Sequence, residues 1–171
     1  YFNGVDFVTV KNMTIRALNA SYGVVVYLTG GAENITLENL ELIGPVAAST
    51  STNNAVIWST SGSLDHNFTI RNCGIRNGSF GMYIYGSGTT STMNNLRVEG
   101  CEITGSYYYP AYLYYVGELK FLGNRIVQNS AYATKYAFMS YYGFNTQIER
   151  NVFLCDGGTS QYGVYLYYDN Y

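Results

Sequence analysis

Apolar and polar residues alternate along this chain in short segments that recur at a regular spacing. One series of segments places an inward apolar residue at Val10, Leu37, Ile70, Val98, Phe121 and Ile148, about 23 to 33 residues apart. A second series lies between these copies and centres on Val26, Ile57, Ile84, Leu113, Met139 and Leu166. Alternation closed by Gly or Asn is typical of β-strands, and no window has a convincing helical period. Two interleaved strand series with one period predict a β-solenoid with one coil per repeat.

The segments ITLENLELIG, FTIRNCGIRNG and FLGNRIVQN resemble the repeat of the right-handed parallel β-helix, the fold of pectate-lyase-like proteins. The resemblance covers nearly the whole chain and implies an all-β, single-stranded solenoid of about six coils. We expect residues 1–171 to form one uncapped β-helix segment of a longer chain or assembly. Uncapped ends expose strand edges, which favour end-to-end self-association. The resemblance selects no function, because this fold hosts lyases, hydrolases, epimerases, adhesins and tailspikes.

Stacked coils place equivalent residues about 4.7 to 4.9 Å apart, so like residues should form ladders along the solenoid. The alignment predicts an asparagine turn ladder of Asn12, Asn39 and Asn72, a column of alternating charge formed by Lys11, Glu38, Arg71 and Glu99, and a stack of Cys73 on Cys101. A disulfide between the two cysteines is possible but is not required.

The second strand series carries aromatic rings on its outward side. Alternation predicts two outward columns, one of Val25, Val56, Tyr83, Tyr112, Phe138 and Tyr165 and one of Tyr27, Trp58, Tyr85, Tyr114, Ser140 and Tyr167. A contiguous array of rings exceeds the apolar patch of a few hundred Å² that is normal on a monomer. Three interpretations stay open: rings that only hold the coils together, a contact surface for other protein subunits, and a stacking platform for polysaccharide. The candidate ligand or partner residues are Tyr27, Trp58, Tyr83, Tyr85, Tyr112, Tyr114, Phe138, Tyr165 and Tyr167.

Charge and composition narrow the setting. The net charge is -2 and 12% of residues are charged, so the chain lacks the basic footprint of a nucleic-acid-binding protein. No apolar run approaches the roughly 18 to 20 residues that span a bilayer. Sequons make Asn19, Asn34, Asn67 and Asn77 candidate glycosylation sites. With the hydroxyl-rich composition, they favour an extracellular or cell-surface location.

Relatives with this fold often act on acidic polysaccharides through clustered carboxylates, some of which bind calcium. Here Asp169 lies near the end of the second series, whereas Glu38, Glu99 and Glu149 lie beside Arg or Lys columns. His66 is the single histidine, and no paired carboxylates or nucleophile-base pair emerge. We therefore expect a non-catalytic structural or adhesive solenoid with no cofactor or metal, calcium being possible but unsupported. The alternatives are a carbohydrate-binding module and a fragment of a polysaccharide lyase or glycoside hydrolase.

Overall fold

The fold is the predicted β-solenoid. A computed structural model describes residues 1–89 and 91–169, and its strands stack in about six parallel coils. Three parallel sheets run along the solenoid, and a short 3₁₀ turn at Thr52–Asn54 lies before one strand.

Sheet 1 has seven strands, and each pairs only with strands of the neighbouring coils. They are β1 (Phe2–Asn3), β3 (Val26–Thr29), β5 (Ile57–Ser59), β8 (Phe80–Tyr85), β12 (Tyr109–Tyr114), β16 (Thr134–Tyr141) and β19 (Ser160–Tyr167).

Sheet 2 has ten strands, and in most coils it is divided into two short strands by a sharp bend. Its strands are β2 (Thr9–Arg16), β4 (Thr36–Ile43), β6 (Thr69–Arg71), β7 (Gly74–Arg76), β10 (Arg97–Glu99), β11 (Glu102–Thr104), β14 (Lys120–Leu122), β15 (Arg125–Gln128), β17 (Gln147–Glu149) and β18 (Val152–Cys155). Sheet 3 is a short corner sheet of β9 (Met93–Asn94) and β13 (Val116–Gly117).

The bend in sheet 2 explains the predicted asparagine ladder. Asn12, Asn39 and Asn72 have φ values of 58°, 52° and 53°, the left-handed conformation that asparagine tolerates better than most residues. The Asn39 side-chain amide also donates a hydrogen bond to Asn12 Oδ1 at 3.1 Å. The turn residues therefore bend the chain and link one coil to the next.

The core consists of inward side chains stacked between the sheets. Leu37, Ile70, Val98 and Phe121 come from successive coils of sheet 2, and each is fully buried. Cys73 and Cys101 follow the bend in adjacent coils, and both are buried free thiols.

The orientation predicted for Phe138 is wrong. Phe138 is fully buried and packs on Phe121 in the core, with ring centroids 4.8 Å apart. Strand β16 pairs with β12 so that Phe138 lies beside Ala111 and Met139 beside Tyr112. Met139 therefore points outward and Ser140 inward. The prediction had these two orientations reversed, so it was out of phase by one residue in this strand.

The predicted alignment of the first two rings, Tyr27 and Trp58, with the rings of the later coils is also wrong, by two residues. Tyr27 pairs with Trp58, as expected, but Trp58 pairs with Tyr83 rather than with Tyr85. Continuing the register of β5 by one residue past Ser59 places Thr60 in line with Tyr85.

The charged column on sheet 2 has the predicted register, since Lys11 pairs with Glu38, Glu38 with Arg71 and Arg71 with Glu99. Arg71 contacts Glu38 at 2.9 Å, whereas Glu99 contacts Arg97 of its own strand at 2.9 Å. Each such exposed pair contributes only about 0 to 1 kcal/mol.

A second ion network on sheet 2 was not predicted. Arg76 lies within 3.0 Å of Glu41 and 3.2 Å of Glu102, and Glu102 also contacts Arg125 at 3.2 Å. The Glu41 carboxylate lies over Gly74, where a Cβ would clash with it at 2.5 Å. A glycine in this column therefore lets Arg76 reach carboxylates on both sides.

Replacing Phe138 tests its corrected position. We expect Phe138→Ala to lower the free energy of unfolding by about 3 to 5 kcal/mol, because it leaves a cavity in the core. Tyr167→Ala in the next coil is the control, and it should cost roughly 1 kcal/mol, because Tyr167 is 40% exposed. Urea denaturation followed by circular dichroism measures both, and equal losses would contradict the inward position.

Candidate functional site

Sheet 1 presents three columns of rings on its outer side, which we call the tyrosine face. The central column contains five of the predicted residues, and Met139 interrupts it between Tyr112 and Tyr165. The face consists of Phe80, Tyr109, Tyr136 and Tyr162 in the first column, Tyr27, Trp58, Tyr83, Tyr112 and Tyr165 in the second, and Tyr85, Tyr114, Tyr141 and Tyr167 in the third. Every predicted face residue except Phe138 therefore lies on this surface.

The rings stack mainly on one another along the solenoid axis. Tyr83 and Tyr112 have centroids 5.1 Å apart and planes 4° from parallel, and Tyr85 and Tyr114 are 4.6 Å and 6° apart. Neighbouring coils thus cover most ring faces, so the half-exposed rings of the second and third columns present mainly their edges to solvent. This orientation differs from the flat sugar-stacking platform considered in the sequence analysis.

The first column fills a second apolar cluster outside the main core. Phe80 and Tyr109 are nearly buried there with Ala55 and Met139, and the ring of Tyr136 packs against this cluster. Phe80 meets the ring of Tyr83 edge-on, with centroids 5.0 Å apart. The columns therefore support one another laterally as well as along the axis.

Burial raises the pKa of the phenols in the middle of the face. It raises the pKa of Tyr83 and, with the neighbouring phenols, that of Tyr112. Burial, a hydrogen bond with Tyr115 and nearby phenols raise the pKa of Tyr114 to about 12. These tyrosines are therefore neutral hydrogen-bonding groups at physiological pH.

A column of ionisable side chains that sequence reasoning missed lies at the corner after sheet 1. Asp6 pairs with Glu33 across adjacent coils, and the Asn34 N–H donates to the His66 carbonyl in the next coil. Asp6, Glu33 and His66 each precede a sheet 2 anchor, namely Val10, Leu37 and Ile70, by four residues. This constant offset was the available signal, but these corner positions lie outside the two aligned strand series.

A buried carboxylate holds the same corner. Asp65 is fully buried and accepts hydrogen bonds from the Ala32 backbone N–H at 2.8 Å, Ser63 Oγ at 2.6 Å and Ser59 Oγ at 2.7 Å. It occupies an inward position that other coils fill with apolar residues such as Met93 and Val116. Since buried polar groups are costly unless paired, these three donors account for its position.

The four candidate glycosylation sites lie in loops and turns. Asn19 is exposed, and its Oδ1 accepts from the Ser21 N–H at 2.9 Å. Asn34, Asn67 and Asn77 are half-buried, with φ values of 53°, 53° and 65°. Their glycosylation stays a prediction.

The residues that the structure describes contain no cluster of three or more His, Cys, Asp or Glu side chains placed around a common metal position. Within the same residues, no helix has the length and apolar character needed to cross a membrane.

The family model described as right handed beta helix region matches residues 1–171. No curated protein and no solved structure matches the chain.

High pH should destabilise the fold through the tyrosine face. The pKa of Tyr114 is about 12 in the folded chain, against roughly 10 for an unperturbed tyrosine. The Tyr114 phenol then binds its proton more tightly in the folded state than in the unfolded chain. The contribution of this phenol to the free energy of unfolding is therefore complete below about pH 10 and is lost as the pH rises through about 12. We expect the thermal midpoint to fall over this window and to fall less in Tyr114→Phe. A constant wild-type midpoint would contradict the shift.

Substitutions of Asp65 should distinguish what its hydrogen bonds contribute to the free energy of unfolding from what its charge contributes. We expect Asp65→Ala to lower the free energy of unfolding by about 1 to 3 kcal/mol or more, because it leaves the Ala32 N–H without its acceptor. Asp65→Asn keeps an oxygen for Ala32, and the serine hydroxyls can rotate toward its amide, so a smaller loss is expected. Chemical denaturation checks both, and equal losses would show that the charge itself is required.

Proposed function

The chain belongs to the right-handed β-helix family, and we propose that it is a non-catalytic structural or adhesive solenoid that holds a glycan along its tyrosine face at or outside the cell surface. The observation that carries this proposal is the three-column array of rings and hydroxyls on one sheet. The family contributes the scaffold, and the site residues carry the argument for function.

The chemistry of the face supports a glycan occupant. A phenol hydroxyl both donates and accepts hydrogen bonds, which matches the hydroxyl groups of a sugar chain. Tyrosines also combine a rigid apolar ring with a polar end, a common feature of recognition surfaces. Because stacking fixes Tyr83, Tyr85, Tyr112 and Tyr114 in place, little side-chain entropy is lost when a ligand binds.

The enzymatic alternative has one specific observation in its favour. Asp6 and Glu33 come from adjacent coils, and two nearby carboxylates are the usual requirement for glycoside hydrolysis. However, Asp6 Oδ1 already accepts from the Phe7 N–H at 2.8 Å and from the Asn34 amide at 2.7 Å. A binding role for this corner therefore fits better than a pair of free catalytic carboxylates.

Substitutions on the face test the proposal. Wild type and the variants Tyr85→Ala and Tyr114→Ala are compared for binding to immobilised β-glucan, mannan and polygalacturonate. We expect each variant to weaken binding roughly tenfold, equivalent to about 1.4 kcal/mol. Met13→Ala is the control, because Met13 is 50% exposed in β2 of sheet 2 and therefore lies away from the tyrosine face.

Three outcomes would overturn the proposal. The first is wild-type protein that binds none of the polysaccharides. The second is unchanged binding in both face variants. The third is concentration-dependent self-association in sedimentation velocity that Tyr114→Ala abolishes, which would assign the face to a second copy of the chain.

A further inference from the structure

A polar recess lies where the third ring column ends. Extending the register of β5 by one residue brings Thr60, and with it the hydrogen-bonded Thr29, into line with this column beyond Tyr85. A recess of about 550 Å³ lies here, largely open to solvent and lined by both threonines together with Glu33, Ser63 and His66. This volume lies within the range of small-molecule sites, about 300 to 1,000 Å³.

The recess has a fixed wall rather than a loose loop. The segment that carries Ser63 and His66 is tied down by the buried Asp65, which binds Ser63 Oγ, Ser59 Oγ and the Ala32 N–H. The Ser63 N–H also donates to the Thr60 carbonyl at 3.1 Å. The hydrogen-bonding groups of the recess are therefore held in position before a ligand arrives.

The lining offers donors and acceptors in alternation. Thr60 Oγ1 donates to Thr29 Oγ1 at 3.0 Å, which leaves the Thr29 hydroxyl hydrogen as a donor. His66 Nδ1 accepts from the Asn94 N–H at 3.0 Å, so the neutral ring carries its hydrogen on Nε2. The Glu33 carboxylate supplies a strong acceptor, which suits a ligand rich in hydroxyl groups.

Charge decides between a neutral and an acidic ligand. The described strands of sheet 1 contain one residue of a charged type, Lys135, which is buried and donates to the Asp156 carbonyl. The lining of the recess contains Glu33 but neither lysine nor arginine. A uronic acid would therefore meet a carboxylate without a paired cation, which is unfavourable.

Trp58 and Tyr85 do not line the recess, but their strand positions place them at its edge. Trp58 precedes Thr60 by two residues, so its half-buried side chain lies on the same side of the strand. Tyr85 stacks on Tyr114 on its far side, and no aromatic ring of the described residues stacks on the side toward Thr60. Tyr85 is thus the one member of its column with a ring face toward the recess.

We propose that the recess binds a neutral sugar residue of the glycan that lies on the tyrosine face. The inference rests on the proposed function, and it adds the position and the charge class of the ligand. Glu33 and the Thr29 and Thr60 hydroxyls bind sugar hydroxyls, and His66 Nε2 donates one further hydrogen bond. Tyr85 and Trp58, at the edge of the recess, pack against the part of the glycan that continues onto the tyrosine face.

Calorimetric titration of the full chain tests this site. The ligands are cellohexaose, maltohexaose and mannohexaose as neutral probes and hexagalacturonate as the acidic probe. We expect at least one neutral hexaose to bind more tightly than hexagalacturonate. Thr60→Val and Glu33→Gln should each weaken that binding roughly tenfold, as expected for a lost hydrogen bond to a charged or fixed partner.

Matched variants separate the recess from the face and from folding. Thr69→Val makes the same change on sheet 2 and should bind like wild type, and each variant should keep the wild-type thermal midpoint. Tyr114→Phe removes one hydroxyl of the face and leaves the recess unchanged.

The outcomes distinguish the two proposals. Weaker binding in Tyr114→Phe with wild-type binding in Thr60→Val and Glu33→Gln would overturn the recess and leave the proposed function standing. Absence of binding by every probe would overturn both. Tighter binding of hexagalacturonate would overturn the neutral-sugar assignment, and release of shorter sugars that Glu33→Gln abolishes would show that the site is catalytic instead.

Discussion

Parallel hydrogen-bonded pairing between one coil and the next is the constraint on which the rest of this structure depends. Once Val98 pairs with Ile70 on one side and with Phe121 on the other, every position in the coil lies over its equivalent. Inward columns then form the core, outward columns form continuous surfaces, and corner columns collect residues that tolerate a left-handed backbone. One register thus determines packing, surface chemistry and turn composition together.

The surface columns divide by chemistry between the two large sheets. Sheet 2 carries exposed ion networks such as Glu41, Arg76, Glu102 and Arg125, whose individual pairs add little free energy but keep this side hydrated. Sheet 1 carries neutral rings whose faces are largely buried against one another. The two sides of the solenoid therefore present different surfaces to a partner, and only one of them is both apolar and rich in hydroxyl groups.

The repeats in the sequence were sufficient to predict the solenoid, its two main strand series and most of the ring positions. The phase of β16 was not predictable in the same way, because Phe138 and Met139 are both apolar and either could face inward. Only the alignment of Tyr141 with Tyr114 and Tyr167 settles it. The corner with Glu33, Asp65 and His66 was missed because contacts between coils hold it together, and short alternating segments do not reveal such contacts.

The direction of the hydrogen bonds between coils has a mechanical consequence. These bonds run between adjacent strands, roughly along the solenoid axis, in every sheet. A pulling force along that axis therefore loads all the bonds between two coils together, and the ring stacks of sheet 1 share the load. A force that peels a strand from one end instead breaks the same bonds one after another. The chain should therefore resist axial tension better than peeling, so the direction in which it is anchored would determine how much load it bears.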